Sequence, residues 1–314
     1  MRLSVSVGLW QDRPAGEAVL TAQIADEHGY PEIWVGEMAT YDAFALATAI
    51  GARTRRAALT VGPLAVNVRD PMMIAMGAAS VADLTGRPVG VALGTSTPVV
   101  VEEWHGRSRS GSAAALREAV QALRPLLDGE RSDFSGAHVA SRGYRLRLAA
   151  PRSTISVAAF GPAAVGAAAL ADRMVLNLLT PASAARLITD LRLLSPTTRV
   201  AAWVAAAVDP DQAAIEQIRR ALVPYLYAPG YREMFAQAGF EDVVAYARTE
   251  PHPRALLAAI PDGMLEAVAL IGDSVEIMDR LDAYEEAGVD EVALVPVSTE
   301  SDPCGEATLK ALAD

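Results

Sequence analysis

Side chains that bind metals or act as nucleophiles are few in this sequence and lie far apart. The histidines are His28, His105, His138 and His252. No two of them have the HxH or HExxH spacing of a metal site, so we expect no bound metal. The single cysteine, Cys304, excludes an internal disulfide, and the single lysine, Lys310, is poorly placed for a Schiff base. This scarcity predicts that an organic cofactor supplies the chemistry.

Glycines and hydroxyls near strand ends are the more informative pattern. The segment GPAAVGAA (Gly161–Ala168) has the glycine spacing of a P-loop but lacks its Lys-Ser/Thr pair, so it is not one. The apolar run Pro88–Gly94 predicts a buried strand, and two hydroxyl residues, Thr95 and Ser96, follow it directly. A Glu-Glu-Trp-His-Gly sequence that contains His105 comes next.

Short apolar runs that alternate with helical patterns must position these groups. We predict about eight strands. They are Leu3–Leu9, Glu32–Gly36, Ala58–Val66, Pro88–Gly94, Thr154–Phe160, Arg173–Asn177, Arg199–Val208 and Asp290–Val297. Helix patterns fall between them; one begins at Pro71, and another begins at Asp273 or Ser274 and stops at Gly288.

This alternation predicts an α/β fold with a parallel sheet, and its length favours a (β/α)8 TIM barrel over an open doubly wound sheet. Two insertions interrupt the rhythm after strands 4 and 7. Residues 97–153 contain a helix and a predicted hairpin, and residues 209–272 are mostly helical. In a barrel both would leave from the C-terminal strand ends, where ligands bind, so we predict lid segments.

Composition limits the partners. The chain has 314 residues, 52% of them hydrophobic, which we interpret as one domain over residues 1–314. A formal net charge of −11 disfavours nucleic acid and anionic membranes, so we expect a small-molecule substrate. The N-terminal sequence lacks a signal-peptide core and no apolar stretch is long enough to span a bilayer. With its lone cysteine, the chain is expected to be cytoplasmic.

Five segments in order carry a family resemblance that spans nearly the whole chain. They are Ala22–Glu37, Val61–Ser96, Val99–Gly106, Ala158–Asp172 and Gly272–Pro296. Together they resemble the luciferase-like monooxygenase superfamily, especially its coenzyme F420-dependent oxidoreductase branch. The resemblance implies a barrel with insertions, a possible homodimer, and a deazaflavin (F420), or alternatively the flavin FMN, across the C-terminal mouth.

The resemblance implies cofactor contacts at the ends of strands 3 and 4. In this family strand 3 often ends in a bulge with a cis non-proline peptide, which by position would be Leu64–Ala65; the alternative is an ordinary trans strand end. The implied contacts here are Leu64, Ala65, Val66 and Asn67. At the end of strand 4 they are Gly94, Thr95 and Ser96, whose hydroxyls alternatively cap the next helix.

Further contacts follow strands 5 and 6. The resemblance implies that the helix start after strand 5 binds the phosphate and tail, because small residues admit a ligand and free N–H groups attract anions. The implied residues are Phe160, Gly161, Pro162, Ala163 and Ala164, with Asn177 and Leu178 beside them. Close helix–sheet packing is the alternative, because it also favours small residues.

Glu37 and His105 are the catalytic candidates. Glu37 either contacts the cofactor ring or is a structural carboxylate, and His105 either acts as acid or base or packs the insertion. Trp10, Met38 and Trp203 are the substrate-side candidates; for Trp203 the barrel core is the alternative. Met38 and Thr97 stand where the family's sugar-phosphate dehydrogenases have a histidine and an acidic residue, which argues against that activity.

The resemblance, with the scarcity of catalytic motifs, implies an oxidoreductase that transfers a hydride between F420 and a small organic substrate. Two alternatives remain. One is an FMN-dependent monooxygenase that uses reduced flavin and oxygen, and the other is a non-catalytic cofactor-binding homologue.

Overall fold

The computed structural model describes residues 1–7, 13–37 and 39–313. Its strands, numbered in chain order, are β1 (Arg2–Val7), β2 (Glu32–Val35), β3 (Ala58–Ala65), β4 (Val89–Gly94), β5 (Asp133–Ser135), β6 (Ala140–Arg142), β7 (Ile155–Ala158), β8 (Arg173–Asn177), β9 (Arg199–Val208), β10 (Ala269–Gly272) and β11 (Glu291–Pro296).

Eight parallel strands close into a barrel in the order β1-β2-β3-β4-β7-β8-β9-β11, with β11 paired back to β1. The predicted TIM barrel is therefore confirmed, and the open sheet is wrong. All eight predicted strands are the barrel strands, and two of them, Arg173–Asn177 and Arg199–Val208, have the predicted bounds. The short β10, which was not predicted, pairs with the last residues of β9 beyond the end of β8.

Helices cover the outside of the barrel and bury its apolar outer face. They are α1 (Glu17–Glu27), α2 (Ala43–Gly51), α3 (Pro71–Thr85), α4 (Ser112–Leu127), α5 (Pro162–Ala168), α6 (Pro181–Leu194), α7 (Gln212–Tyr227), α8 (Tyr231–Phe235), α9 (Glu241–Ala247), α10 (Pro253–Ala259), α11 (Asp262–Glu266), α12 (Ser274–Glu286) and α13 (Glu306–Ala311). π-Helical turns lie at Val99–Trp104 and Ala236–Phe240, and a 3-10 turn lies at Pro303–Gly305. None of the described helices is both long and apolar enough to cross a bilayer.

Local sequence explains where several helices begin and end. Pro71 opens α3 directly after Asp70, whose carboxylate accepts the N–H of Met73, and Gly86 ends the helix in a left-handed conformation. Asp273 and Glu276 form a reciprocal capping box at the start of α12. The starts at Pro71 and at Asp273 are those predicted from the sequence.

The two insertions differ in where they lie. Residues 209–272 form α7–α11 and β10 after the C-terminal end of β9, as predicted. In the first insertion, α4 is a barrel helix packed between α3 and α5, because its apolar stripe is buried. The β5–β6 hairpin lies along α4, where Glu118 accepts the N–H groups of residues 137–139. The prediction that all of residues 97–153 forms a lid is therefore wrong; only the stretch before α4 borders the mouth.

The bottom of the barrel is closed by a buried ion cluster. Arg173 donates to Glu32 at 2.7 Å and to Glu291 at 2.8 Å, and its guanidinium lies 4.1 Å from the centre of the Trp34 ring. All three charged residues are the first residues of their strands. Burial by itself would raise the pKa of Glu32, but the hydrogen bonds and charge of Arg173 outweigh it and lower the pKa. This cluster therefore fills the end of the barrel at which these strands begin.

Candidate active site

A bulge shapes the mouth at the end of β3. The pairing of β3 with β4 shifts register between Val61 and Leu64, which confirms the predicted bulge. Gly62 has φ +119°, and a Cβ atom there would lie 2.3 Å from the carbonyl oxygen of Ala92. The cis peptide predicted at Leu64–Ala65 is wrong: among the described residues the cis bond is Gly62–Pro63, an X-Pro bond, whose preference for trans is much weaker.

Four of the predicted residues line one cleft of about 550 Å³ beside this bulge. Glu37 follows β2, Ala65 ends β3, Ser96 follows β4, and His105 lies just after the π-helical turn. The rest of the wall is mixed apolar and charged, and includes Pro63, Val68, Arg69, Met73, Val100 and Trp104. The C-terminal ends of parallel strands bring these residues together although they are far apart in sequence.

Arg69 holds Glu37 in this cleft. The Arg69 Nε donates to Glu37 Oε2 at 2.8 Å, and its Nη2 donates to both Glu37 Oε1 and Asp42. The backbone N–H of Ala43 also donates to Glu37. The hydrogen bond with Glu37 is the main cause that raises the pKa of Arg69, so the guanidinium stays charged. Since both carboxylate oxygens have partners, the geometry supports the structural role of Glu37.

Polar groups at the ends of β3 and β4 tie the following loop to the cleft. The Asn67 side-chain amide donates to the carbonyl of Ser108 at 2.8 Å, while its Oδ1 is buried and has no hydrogen-bond partner in the described part of the chain. Arg109 donates to the carbonyl of Ser96, which has φ +53°.

The side chain that caps the next turn is Thr97, whose hydroxyl accepts from the N–H of Val100 at 3.3 Å. Neither Thr95 nor Ser96 is that cap. Thr95 and Val66 are partly buried at the same strand ends.

The opposite side of the mouth joins the end of β8 to the second insertion. Asn177 donates to the hydroxyl of Tyr225 at 3.1 Å, and its carbonyl accepts from the Tyr231 hydroxyl at 3.0 Å. The Phe160 and Tyr231 rings lie 4.2 Å apart between centroids. Burial raises the pKa of Tyr231, so this hydroxyl stays a donor. Leu178, with φ +54°, turns the chain away after β8.

The start of α5 beside Phe160 is open. Gly161 is the N-cap, and no side chain of the described residues caps the helix. Apart from the chain neighbours of Gly161, no described atom lies within 4 Å of the position where its Cβ would stand. Pro162 and Ala163 are exposed and Ala164 is half-buried. The first N–H groups of this helix are therefore free of a side-chain acceptor.

Three of the predicted residues are buried. Leu64 has no exposed surface and packs in the core, because the bulge turns it away from the cleft. Gly94 is also buried. Trp203 is 5% exposed and lies inside the barrel, where its ring packs edge-on against the Trp34 ring with 5.6 Å between the centroids. Trp203 therefore packs in the barrel interior, and its contact with a substrate stays a prediction. Trp10 and Met38 lie outside the described residues.

The sequence prediction missed four residues of the mouth. They are Arg69, Arg109, Tyr225 and Tyr231. Both tyrosines come from insertion helices whose packing no local pattern reveals. For Arg69 a weak signal exists, since it is a cation soon after a strand end in an acidic chain.

The arrangement suits a phosphate-bearing ring cofactor. The uncapped start of α5 offers N–H groups to an anion, and the buried Asn67 Oδ1 is an acceptor without a partner. Space for a flat ring comes from the small residues Gly36, Gly94 and Ala158 at the strand ends. The residues present therefore fit F420 or FMN.

Comparison with known proteins agrees with this geometry. A family model described as "Luciferase-like monooxygenase" matches residues 3–291. A protein of Mycobacterium tuberculosis named "Putative coenzyme F420-dependent oxidoreductase Rv3520c" is 28% identical over 155 residues, which are 49% of this chain and 43% of that protein. The chain thus aligns with less than half the length of this relative.

Solved structures of similar fold include both cofactor types. The F420-dependent tetrahydromethanopterin reductase of Methanopyrus kandleri has a TM-score of 0.83 and 16% identity, with 100% of this chain and 98% of that chain covered. The oxygenating constituent of 3,6-diketocamphane monooxygenase from Pseudomonas putida, in complex with FMN, has a TM-score of 0.72 and 15% identity, with 100% and 97% covered. At these identities the likeness shows the fold alone.

Proposed function

Because the chain belongs to the luciferase-like monooxygenase family, we propose that it is an F420-dependent oxidoreductase acting on a small organic substrate. The bound deazaflavin would supply hydride transfer between its ring carbon and the substrate. The observation that carries the proposal is the open start of α5, which follows β7, the strand next to β4, and has no side-chain cap among the described residues. The F420-dependent relative and reductase support the choice of cofactor.

In this proposal the chain holds and orients the cofactor. The backbone at Gly161–Ala164 binds the phosphate, and Asn177 with Phe160 borders the tail. Thr95, Ser96 and Asn67 contact the polar edge of the ring, with the β3 bulge behind it. Val66 and the Ala65 backbone complete that wall. The Tyr225–Tyr231 pair excludes water from this side of the mouth.

Of the two catalytic candidates in the cleft, one remains for proton transfer. His105 is exposed at the cleft wall, where it can exchange a proton between a bound substrate and solvent. Glu37 is engaged by Arg69, so we assign it to positioning Arg69 at the wall. The second candidate function is an FMN-dependent monooxygenase, which the FMN-bound neighbour favours.

Binding decides between these functions. The purified protein is titrated separately with F420 and with FMN while the fluorescence of each ligand is followed. We expect saturable binding of F420 and binding of FMN at least about tenfold weaker. Tight FMN binding with no response to F420 would favour the monooxygenase, and no binding of either would favour a non-catalytic homologue.

Gly161 tests the phosphate site. Gly161→Leu adds a side chain where the free protein has open space and an ordinary extended φ of −137°, so the fold should be kept. We expect F420 affinity to fall at least tenfold without a lower Tm. Gly166→Leu is the matched control, because Gly166 lies on the same helix and also has open space at its Cβ. Equal affinity of both variants would refute the phosphate site.

A further inference from the structure

The uppermost packed layer inside the barrel contains two polar side chains. In a barrel of this kind, each strand is shifted along the barrel axis by about one residue relative to its neighbour. With this shift, the strand pairing places four residues at one level: Ser6, Gly62, Ala158 and Trp203. The layer below consists of Trp34, Ala92, Val175 and Ala293, which belong to one buried cluster with Trp203. Trp34 meets Trp203 edge-on, which agrees with this stacking.

Both polar atoms of this layer lack a partner. Ser6 is 1% exposed and Trp203 is 5% exposed. Neither the Ser6 hydroxyl nor the Trp203 indole Nε1 has a hydrogen-bond partner among the described residues. Trp34, in contrast, donates its indole N–H to Ser4 and Glu291 in the layers below. A buried donor without a partner costs free energy, so two in one layer indicate that something else binds them.

The level above this layer carries few side chains. The same registers put Gly36, Gly94, Asn177 and Val295 in the next level, and two of these four have no side chain. Ala158, Asn177 and Val295 are partly exposed, whereas every residue of the Trp34 layer is buried. In this level only Asn177 and Val295 carry side chains, so a ligand that passes between them meets the Ser6–Trp203 layer next.

We propose that the Ser6 hydroxyl and the Trp203 indole N–H bind one neutral oxygen of the substrate and so determine its specificity. This inference rests on the proposed function in so far as the substrate enters the barrel mouth. The indole N–H can only donate, so the ligand atom is an acceptor. The side chains around this layer are apolar. The positive charge of the nearby Arg173 is already paired with Glu32 and Glu291, so it would not compensate the negative charge of an ionised ligand oxygen. A carbonyl or hydroxyl oxygen meets these conditions.

Indole resonances of the full-length chain report this contact directly. The chain has four tryptophans, and Trp203→Phe identifies the Trp203 N–H signal in a spectrum of protein with 15N-labelled indoles. Cyclohexanone is titrated against methylenecyclohexane, which has a similar shape but no oxygen acceptor. We expect cyclohexanone to shift the Trp203 signal in a saturable way and methylenecyclohexane to leave it nearly unchanged. The Trp34 signal is an internal reference, because its N–H already has partners.

A serine pair supplies the matched variants. Ser6→Ala should weaken the apparent affinity for cyclohexanone about tenfold, which is the usual cost of one lost hydrogen bond. Ser153→Ala should leave it unchanged, because Ser153 is also buried with an unpartnered hydroxyl but lies before β7, at the closed end of the barrel. Both variants should keep or raise the Tm, since each removes an unpartnered polar atom.

Three results would overturn the proposal: no shift of the Trp203 signal with cyclohexanone, an equal response to both probes, or an unchanged affinity in Ser6→Ala. The experiment uses protein without cofactor, so it is independent of the F420 titration. A Trp203 response without binding of F420 would contradict the proposed function alone, and binding of F420 without a Trp203 response would contradict this inference alone.

Discussion

Glu37 shows how tertiary partners decide the role of an acidic residue. Both carboxylate oxygens accept hydrogen bonds from Arg69, one also accepts from the start of α2, and Arg69 is shared with Asp42. A carboxylate with all these partners is fixed in place. We therefore interpret Glu37 as the residue that holds Arg69 in the cleft wall.

Glu37→Gln tests this interpretation. We expect the free energy of unfolding to fall by about 1–2 kcal/mol. The reason is that the partly buried ion pair between Arg69 and Glu37, which has two hydrogen bonds, is replaced by a single hydrogen bond to a neutral amide. We expect the affinity for F420 to change less than about threefold. Chemical denaturation and the fluorescence titration measure the two quantities. Asp42→Asn is the control, because it keeps the Arg69–Glu37 pair. If Glu37→Gln instead lowers the affinity for F420 and leaves the stability unchanged, Glu37 contacts the ligand directly.

At the scale of elements, the contact between β3 and β4 determines the shape of the mouth. The bulge after Val61 places Pro63 and Ala65 on the cleft and turns Leu64 into the core. The backbone of Gly62 approaches the Ala92 carbonyl closely, in a left-handed conformation. A side chain at Gly62 would therefore push the two strands apart at the point where they border the site.

Gly62→Ala should lower the free energy of unfolding by about 2–4 kcal/mol, from the clash with backbone and the unfavourable φ together. Urea denaturation measures this loss. Gly86→Ala is the matched control, because Gly86 also has a positive φ but no atom within 4 Å of its Cβ position, and we expect about 1–2 kcal/mol there. Similar losses at both positions would mean that the close approach of β3 to β4 contributes nothing.

At the scale of the whole molecule, the ion cluster at the closed end links three distant parts of the chain. Arg173 lies between Glu32 and Glu291, and all three are nearly inaccessible to solvent. The folded-state pKa of Glu32 is lowered, so its stabilising contribution is present above the unfolded pKa near 4.5 and is lost as the pH falls through the folded value. Between pH 7 and pH 5 this contribution stays nearly constant.

Arg173→Met should reverse this pH dependence. Without the Arg173 guanidinium, the partly exposed Arg2 is the cation left beside the two buried carboxylates, and burial and like charge raise the pKa of Glu32. We expect a loss of about 3–5 kcal/mol at pH 7 that becomes smaller at pH 5, as protonation relieves the repulsion. Urea denaturation at both pH values measures it. Addition of Glu32→Gln should recover part of the loss, and an equal penalty for Arg173→Met at pH 7 and pH 5 would contradict this account.

The sequence by itself determined the barrel. Apolar runs of strand length alternate with helices whose start and stop signals are local, as at Pro71, Gly86 and Asp273, and a parallel sheet of eight such units closes on itself. It also placed Glu37, Ala65 and Ser96 at strand ends, which the fold gathers in one cleft with His105. The barrel prediction succeeded because it depends on periodicity and on the direction of parallel strands.

Only the tertiary structure decided which partners each residue has. The pairing of Glu37 with Arg69, the burial of Leu64 and Trp203, and the contacts of Tyr225 and Tyr231 with Asn177 join residues that are far apart in the chain. The position of the cis bond and the packing of the β5–β6 hairpin along α4 also depend on neighbouring strands and helices. Side-chain contacts of this kind arise from the three-dimensional packing of distant segments, and no local pattern encodes them.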